Sequence, residues 1–515
     1  MKSMDRRRFL ALTAATAATL KTFAQTATPP ETLTLHADHP GPTIPQNFIG
    51  LSYETQQLSD PTFFSPANTG LIAQLRELAS NGILRLGGNT SDYGFWKPTP
   101  TSTMPPRKPR ENKVGDPPPD MSYAVTPLAV TNLKAFLDAT GWTCLYGINL
   151  GTNIPSLAAD EAVAVTAILG PKLEYLQLGN EADRFGSTIR DPKTWSADAF
   201  LTEWLAFAHA ILARVPNARF GMPDIASNAA WFSTIADRLA TDPIRQHIAC
   251  LSHHNYIGGP PSNPAMTIEH ILAPNPVVPR DAGLVTAAAT KLNVPYRMTE
   301  GNTCYRGGKP GVSDVFASAL WSADYLLQLA SLGYAGVNLH GGDAQMVANS
   351  LGGTLPGDEL VLAAHGDPAT HPHPYYTPIA KIGNDYLLEP VAYGMKFANM
   401  FAGSTMIPVS FDYFDRGLVN ATAYAAKRPD GKLILAVINK DGHSAAEITL
   451  VHYQDAHFVK LQASSLASTN AHLDTEAQAK KNSLYITDAW LTISVPPASA
   501  AIYELGSYVE DHGVA

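Results

Sequence analysis

Two glutamates stand at the ends of apolar runs, where a carboxylate has no obvious packing role. Glu181 closes the run "LEYLQLGNE", and Glu300 follows the run "PYRMT". A carboxyl group can donate or accept a proton, attack an electrophilic carbon or bind a metal ion, and two carboxyl groups can divide such tasks. Because Gly, Asn and acidic residues are also common where strands end in ordinary loops, the elements around the two glutamates must decide between these interpretations.

Short apolar runs alternate with longer amphipathic segments from residue 48 to about residue 390. The runs are "NFIGLSY", "GILRLGGN", "WTCLYGINLG", "LEYLQLGNE", "ARFGMPDIA", "IACLSHHNYI", "PYRMTEGN" and "AGVNLHGG". They are continuously apolar, as expected for strands buried on both faces of a parallel sheet. Eight such units predict an α/β fold, the (β/α)₈ or TIM barrel. A doubly wound open sheet is the competing fold, although the chain has no glycine-rich nucleotide fingerprint.

The pattern changes after "PVAYGMKFANMFAG". From there, polar and apolar residues alternate and turn signals such as "PDG" separate the runs, which predicts an accessory antiparallel β-sandwich domain over residues 395–515. The strand-like "ETLTLHADHP" in residues 28–47 is expected to pair into the same domain. The catalytic barrel would then occupy residues 48–394.

The first 27 residues have the features of an export signal. Arg6 and Arg7 precede an Ala-rich apolar stretch and small residues, a pattern that resembles the twin-arginine type. A basic amphipathic tail is the alternative. Neither this stretch nor any later one is long enough to span a bilayer, so we expect an exported protein, periplasmic or extracellular, without a membrane span.

Charge and cysteine content exclude some classes of function. The formal net charge of −9 offers no basic surplus to neutralise phosphates, which argues against a nucleic-acid partner. Cys144, Cys250 and Cys304 are odd in number and widely spaced, so they predict neither a disulfide framework nor a zinc site.

Polar residues at the predicted strand tips gain meaning in a barrel, because the carboxyl ends of the strands form the active-site face. The polar residues at these tips are Glu54, Asn89, Asp92, Asn149, Asn180, Glu181, His253, His254, Asn255, Tyr256, Glu300, Asn302, His340 and Asp343. Glu181 and Glu300, on the fourth and seventh strands, would face each other across the barrel mouth. Such a pair is suited to glycoside hydrolysis, in which one carboxyl group protonates the leaving oxygen and the other attacks the anomeric carbon.

A metal site built on His253 and His254 is the alternative to a carboxylate pair. The spacing around these histidines is not that of a metal motif, and we expect neither a metal nor a cofactor. Repulsion between two close carboxyl groups would instead keep one protonated and the other ionised, as a retaining mechanism needs.

Five motifs in register, "LRLGGN", "YGINL", "LQLGNE", "HHNY" and "RMTEGN", resemble family 79 glycoside hydrolases, the β-glucuronidases and heparanases. The resemblance runs from about Leu51 to Gly342. It implies that Glu181 is the acid/base and Glu300 the nucleophile of a retaining double displacement. It also implies that Asn180 binds the 2-hydroxyl of the sugar and that Tyr256 holds the nucleophile ionised, with a purely structural Tyr256 as the alternative.

The resemblance implies terminal β-linked glucuronic acid as the substrate, in a saccharide or glycoconjugate, so that its C6 carboxylate needs hydrogen-bond donors. The candidate donors are the backbone of Gly341 and Gly342 and the hydroxyls of Tyr305 and Tyr376, with Tyr375 as a rival. The two glycines could equally form a tight turn. Glu54 and Asn89 are the candidates for the 3- and 4-hydroxyls, with a buried structural role as the alternative.

A Pro- and Lys/Arg-rich loop after the second predicted strand bears on whether the enzyme is exo- or endo-acting. Its basic residues are Arg107, Lys108, Arg110 and Lys113. This set is modest for an enzyme that cuts inside a polyanion, so we expect exo action, with heparanase-like endo action as the alternative. A non-catalytic exported carbohydrate-binding protein is a further alternative, against which the presence of both glutamates argues.

Overall fold

The computed structural model describes residues 31–108, 111, 123–351, 355–363, 373–411, 419–451, 453, 456–475, 484–487 and 490–506. The expected export signal lies outside these residues, as do Arg110 and Lys113. In the part of the chain that is described, no helix is long and apolar enough to cross a membrane.

Strand β1 (Glu31–Leu35) precedes a closed barrel of eight strands, which pair in parallel. The barrel strands are β2 (Ile49–Glu54), β3 (Ile83–Gly87), β6 (Thr143–Ile148), β7 (Leu173–Leu178), β8 (Phe220–Ile225), β9 (Ile248–Gly258), β10 (Tyr296–Cys304) and β11 (Val337–His340). Two short strands, β4 (Gly94–Trp96) and β5 (Tyr123–Val125), pair in the connection after β3. Every residue of β2, β3, β8 and β10 is buried, which explains why their sequences do not alternate between polar and apolar residues.

Helices surround the barrel and connect its strands. They are α1 (Thr69–Leu78), α2 (Pro127–Thr140), α3 (Pro155–Leu169), α4 (Phe185–Thr188), α5 (Ala197–Leu212), α6 (Trp231–Leu239), α7 (Ile268–Leu272), α8 (Val277–Leu292), α9 (Phe316–Ser331), α10 (Ala344–Ser350), α11 (Asp358–Ala363) and α12 (Pro390–Asn399). Helix α2 shows how the sequence sets their limits: Thr126 accepts a hydrogen bond from the N–H of Ala129, and Pro127 occupies the first turn.

A β-hairpin, β12 (Ile379–Ile382) and β13 (Asp385–Leu388), follows the last barrel strand, and two further sheets form the accessory domain. One sheet has the order β15 (Val409–Phe411), β1, β18 (Ala446–Val451), β22 (Trp490–Val495) and β21 (Leu484–Thr487). The other has the order β14 (Thr405–Ile407), β16 (Ala421–Lys427), β17 (Leu433–Asn439), β23 (Ser499–Leu505), β19 (Ala456–Gln462) and β20 (His472–Asp474).

The predicted fold class, a (β/α)₈ barrel with an accessory β-sandwich, is therefore confirmed. The sandwich departs from a purely antiparallel arrangement in one place, because β1 pairs in parallel with β18 and antiparallel with β15. The boundary expected between residues 394 and 395 falls inside α12, and the strands of the sandwich that follow the barrel begin at Thr405.

The sandwich is joined to the barrel at helix α9, which directly follows the loop after β10. Asp324 of α9 accepts hydrogen bonds from Lys440 (2.5 Å), Thr422 (2.6 Å) and Tyr424 (2.7 Å) of the sandwich. At the start of α9, the N–H groups of Phe316 and Ala317 donate to the carbonyls of Ser468 (2.7 Å) and Leu466 (2.9 Å). The sandwich thus satisfies helix N–H groups that would otherwise lack partners.

Deleting residues 396–515 is expected to abolish soluble expression. The deletion cuts α12, leaves β1 without both of its neighbours and removes every sandwich partner of α9. Soluble yield and thermal unfolding of the truncated chain are the measurements, and a chain lacking only residues 1–27 is the control. A soluble truncated chain with a cooperative unfolding transition would contradict this expectation.

Candidate active site

The barrel brings the two glutamates of the sequence prediction together. Glu181 directly follows β7 and Glu300 lies within β10, while His254 stands on β9 between them. One oxygen of each carboxyl group and one ring nitrogen of His254 all lie within 4.8 Å of one another. The Glu181 side chain is 23% exposed and that of Glu300 only 8%, so Glu181 is the more accessible partner.

Glu181 is held in an uncommon backbone conformation. Its φ of 49° lies in the left-handed region, as does the φ of 55° at Asp224 on the neighbouring strand β8. The N–H of Glu181 donates to the carbonyl of Asp224 at 2.8 Å, so the two unusual residues fix each other. Such conformations cost energy and persist where the surroundings over-determine them, often at functional sites.

Glu300 is surrounded by groups that favour its ionised form. Arg85 donates to one carboxylate oxygen at 2.7 Å, and the hydroxyl of Tyr256 donates to the other at 2.8 Å. Burial alone would raise the pKa of Glu300, but the charges of His340, His254 and Arg85, with the Tyr256 hydrogen bond, hold it at about 2. The surroundings of Glu300 therefore favour its carboxylate form.

Glu181 has the opposite environment. Burial raises its pKa, and the negative charge of Glu300 adds to this, while His254 acts in the other direction. Nδ1 of His254 lies 3.0 Å from a carboxyl oxygen of Glu181. The pKa values of the two neighbouring glutamates are thus shifted in opposite directions, upward for Glu181 and downward for Glu300.

Arg85 connects most of the buried polar groups on the floor of the site. Its side chain is completely buried within β3. Its N–H groups donate to Ser52 (2.8 Å), Glu300 (2.7 Å), Asn180 (2.6 Å), Asp224 (2.5 Å) and Gln177 (3.0 Å). Because these bonds reach four strands or their ends, β2, β7, β8 and β10, the guanidinium fixes the relative positions of the site residues.

Glu181, His254 and Glu300 have spacing that could hold a metal ion. However, Nδ1 of His254 faces Glu181 and its Nε2 lies 3.0 Å from Asp224. Although burial lowers it, the charges of Asp224 and Glu300 raise the pKa of His254 to about 10, which favours the protonated ring, a form that offers no lone pair to a metal. The trio therefore fits acid–base chemistry better than metal binding.

Asn180 is fixed by three neighbours. Its Oδ1 accepts from Arg85, its Nδ2 donates to Asn89 at 3.3 Å, and its backbone N–H donates to Asp92 at 3.0 Å. The other oxygen of Asp92 accepts the N–H groups of Leu150 (3.0 Å) and Gly151 (2.7 Å). Asp92 thereby ties the ends of β6 and β7 together, a role that the sequence did not reveal.

Glu54 is buried, and one of its carboxylate oxygens has a structural role as a hydrogen-bond acceptor. Its Oε2 accepts from the N–H (2.9 Å) and the hydroxyl (2.7 Å) of Thr90, and its Oε1 lies 3.6 Å from Nε2 of His340. The half-buried Asn89 contacts Asn180. Their assignment to the 3- and 4-hydroxyls of a sugar stays a prediction.

Tyr376 reaches the floor of the site from the loop after β11. Its ring centroid lies 6.3 Å from that of Tyr256 and 5.9 Å from that of His340. Burial, followed by the charges of Glu300 and Glu54, raises the pKa of Tyr376 well above its usual value, so the hydroxyl keeps its proton and can donate.

The other two tyrosines are placed differently. Tyr305 is 39% exposed at the mouth, with its ring 6.4 Å from that of Tyr256. The hydroxyl of Tyr375 donates to Asp358 at 3.4 Å and does not face the carboxyl pair.

The amide of Asn302 donates to the carbonyls of His340 (2.8 Å) and Tyr376 (2.9 Å), which holds the Tyr376 loop against β11.

Gly341 and Gly342 do not have the role expected from the sequence. The N–H of Gly341 donates to the carbonyl of Ser52 at 2.9 Å, and that of Gly342 donates to the hydroxyl of Thr377 at 3.2 Å. Both donors are therefore used inside the protein and cannot serve a substrate carboxylate. The alternative of a tight turn describes them better, because Gly342 has a φ of 121° and a Cβ at Gly341 would lie 2.6 Å from Thr377.

Two basic residues of the Pro-rich loop form internal contacts. Arg107 donates to the carbonyl of Tyr93 and, at 3.3 Å, to Thr152, while Lys108 donates to Glu203 at 2.7 Å. Neither side chain is presented as an open basic surface.

Sequence reasoning missed Arg85 and Asp224. Arg85 is a charged residue inside the apolar run "LRLGG", and Asp224 interrupts "GMPDIA" in the same way. Charged residues are almost never fully buried unless they are paired, so each was a signal that could have been used. Because Asp224 was not considered, no polar residue was assigned to the end of the fifth barrel strand, β8.

Two curated proteins are similar to this chain. A β-glucuronidase from Aspergillus niger is 27% identical over 357 residues, or 61% of each chain, and a β-glucuronidase from Neurospora crassa is 25% identical over 347 residues, or 60% of each chain. The chain is a relative of these β-glucuronidases. The match spans about three fifths of the length of the curated relatives, and no family model matches.

Solved structures with the same fold include a glucuronidase and an arabinofuranosidase. A 4-O-α-L-rhamnosyl-β-D-glucuronidase from Fusarium oxysporum has a TM-score of 0.66 at 16% identity, covering 92% of this chain and 100% of that one. A family 51 arabinofuranosidase from Xanthomonas axonopodis has a TM-score of 0.63 at 13% identity, covering 93% and 100%. At these identities the likeness concerns the fold alone.

Proposed function

We propose that this relative of β-glucuronidases is a retaining exo-β-glucuronidase of family 79, which removes terminal β-linked glucuronic acid from saccharides or glycoconjugates. The observation that carries the proposal is the pair Glu181 and Glu300, with an oxygen of one within 4.8 Å of an oxygen of the other, in surroundings that raise the pKa of Glu181 and lower that of Glu300. Retaining glycosidases need carboxyl groups about 5 Å apart, whereas inverting enzymes keep them farther apart to admit a water molecule.

In the first step, Glu300 attacks the anomeric carbon while Glu181 gives its proton to the departing oxygen. The bond to the leaving group breaks as the ester to Glu300 forms, and Glu181 becomes a carboxylate. The negative charge thus moves from one glutamate to the other, and the total charge of the pair is conserved. His254, 3.0 Å from Glu181, is placed to stabilise the new carboxylate.

In the second step, Glu181 takes a proton from water, whose oxygen attacks the anomeric carbon and releases Glu300. The greater exposure of Glu181 suits it to meet both the leaving group and the water. The amide of Asn180 is the group we assign to the 2-hydroxyl, where a hydrogen bond that strengthens in the transition state lowers the barrier.

Among the residues described on the floor of the site, neutral donors are the groups left to recognise the C6 carboxylate. The basic side chains on the site floor are already engaged: Arg85 with five acceptors, His254 between Glu181 and Asp224, and His340 beside Ser52 and Glu300. With Gly341 and Gly342 excluded, the hydroxyls of Tyr305 and Tyr376 remain as the assigned donors.

Exo action is favoured by the basic residues that the structure describes. Arg107 and Lys108 are committed to Tyr93, Thr152 and Glu203, so they do not line a cleft for a polyanion. Endo action on a highly charged chain would need such a lining.

Hydrolysis of matched p-nitrophenyl β-glucuronide and β-glucoside tests the substrate assignment. A site built to hydrogen-bond a substrate group rejects the analogue that lacks it, by factors on the order of 10⁴ in favourable cases. We expect a strong preference for the glucuronide. No turnover of either substrate would leave the non-catalytic carbohydrate-binding alternative, and a preference for the glucoside would contradict the assignment.

Tyr376→Phe is expected to lower kcat/KM for the glucuronide by about ten- to a hundred-fold, because one charge-assisted hydrogen bond contributes roughly 1.5–3 kcal/mol. The weaker glucosidase rate should hardly change. Tyr375→Phe is the matched control, since its hydroxyl donates to Asp358. Equal losses on both sugars for Tyr376→Phe would show that this tyrosine is structural.

A further inference from the structure

Asp224 has contacts with the partners of both glutamates. It is the next-to-last residue of strand β8, and its side chain is only 1% exposed. Its Oδ2 accepts from Arg85 at 2.5 Å, and its Oδ1 lies 3.0 Å from Nε2 of His254 and accepts the hydroxyl of Thr299. Its backbone carbonyl accepts the N–H of Glu181 at 2.8 Å.

The two basic side chains that contact Asp224, Arg85 and His254, each also contact one member of the carboxyl pair. Arg85 uses a second amino group to reach Glu300 at 2.7 Å, and His254 uses its second ring nitrogen to reach Glu181 at 3.0 Å. Asp224 is therefore separated from each glutamate by one residue that contacts both, Arg85 on the side of Glu300 and His254 on the side of Glu181.

We propose that Asp224 is a positioning residue that holds Arg85 against Glu300 and keeps His254, as an imidazolium, against Glu181. This inference rests on the proposed retaining mechanism and extends it. The imidazolium is already in place when Glu181 loses its proton, so the charge that crosses from Glu300 to Glu181 arrives beside a fixed cation. A fixed dipole or charge stabilises a transition state without reorganisation at the moment of reaction.

The groups around His254 support a charged ring. Asp224 faces it from β8, Glu181 from the end of β7 and Glu300 from β10. On its own strand, the adjacent His253 bonds instead to Tyr334 at 2.7 Å.

Two further observations concern the charges near this ring. Burial, followed by the charge of His254, lowers the pKa of His253 to about 3, so His253 adds no competing cation. Arg85 is directed at Glu300 and Asp224 and leaves Glu181 to His254. Arg85 thus lies between Asp224 and Glu300, and His254 lies between Asp224 and Glu181.

The pH profile of Asp224→Asn tests the proposal. Asparagine keeps the size of the side chain but removes the charge, so burial is expected to strip the proton from His254 within the assay range. We expect the basic limb of kcat/KM to move down by about one pH unit or more, with a rate loss of about ten- to a hundred-fold near neutral pH. Thr299→Val is the matched control, because it removes another contact of Asp224 but no charge; its basic limb should not move.

A merely structural Asp224 would give a different result. Activity and melting temperature would fall while both limbs of the profile stayed in place, and that outcome would overturn the proposal. Kinetics can be run on any β-glycoside that the wild type hydrolyses, so failure of the glucuronide assignment does not affect this comparison.

Nitrogen NMR of the histidine rings in the wild-type chain gives a test that needs neither substrate nor an active variant. The His254 signal, assigned with His254→Gln, should be that of an imidazolium at about pH 8, above the ordinary histidine pKa of about 6.5. A neutral His254 ring at about pH 7 would overturn the proposal.

Discussion

Glu300→Ala is expected to lower kcat/KM on every β-glucuronide by about 10⁴- to 10⁶-fold, whatever the leaving group. Without the carboxylate no glycosyl-enzyme ester forms, and Arg85 loses the partner that it holds at 2.7 Å. Azide can occupy the vacated space and attack the anomeric carbon directly. Its product should be the α-glucuronyl azide, because a single displacement inverts configuration.

Glu161→Gln is the matched control for this experiment. Glu161 is another buried glutamate, and burial raises its pKa to about 7, but its carboxyl group accepts from Tyr146 at 2.9 Å and belongs to no carboxyl pair. Its replacement should change kcat/KM by less than about tenfold. Comparable losses in the two variants, or a β-azide from Glu300→Ala, would contradict the assignment of Glu300 as the nucleophile.

Glu181→Ala is expected to separate substrates by their leaving groups. Substrates with poor leaving groups should lose about 10²- to 10⁴-fold in rate, the usual contribution of a general acid, whereas activated aryl glucuronides should lose far less in the first step. Azide should accelerate the variant and give the β-glucuronyl azide, since it replaces the water that Glu181 would otherwise activate. Steady-state kinetics over a series of phenols and NMR of the azide product are the measurements.

His254→Gln is an informative companion, because it removes the ring that lies 3.0 Å from Glu181 while leaving the carboxyl group in place. It should retain acid catalysis on poor leaving groups better than Glu181→Ala does. If Glu181→Ala lost the same factor on all leaving groups, or behaved like Glu300→Ala toward azide, the two roles would have to be reassigned.

The sequence predicted the barrel and the carboxyl pair for one physical reason. Strands buried on both faces are continuously apolar, so a polar residue at the end of such a run marks the face where the strands open. Glu181 and Glu300 could be recognised in this way, and Tyr256 and Asn180 followed from their motifs.

Other features depended on contacts that a pattern does not contain. Arg85 and Asp224 are inside strands rather than at polar tips, and only the closed barrel shows that each neutralises the other. Gly341 and Gly342 were assigned to a substrate carboxylate because a sequence does not show whether a backbone N–H already has a hydrogen-bond partner. Whether it is free or bonded, as here to Ser52 and Thr377, depends on the neighbouring chain.

The sandwich was foreseen from alternation, but its pairing was not. The parallel contact of β1 with β18 joins residues more than 400 positions apart, and alternation alone gives no register or direction for such a pair. The domain boundary expected between residues 394 and 395 lies within α12. This helix packs on α9, so its sequence has the same amphipathic pattern as the barrel helices before it.

The stereochemistry of hydrolysis tests the central claim most directly. Wild-type enzyme would be mixed with p-nitrophenyl β-glucuronide and the anomeric proton of the first-formed glucuronic acid followed by NMR before mutarotation. Two carboxyl groups within 4.8 Å of each other predict double displacement, so the β-anomer should appear first and the α-anomer only later. If the α-anomer were formed first, the enzyme would be inverting, and Glu300 would not be a nucleophile.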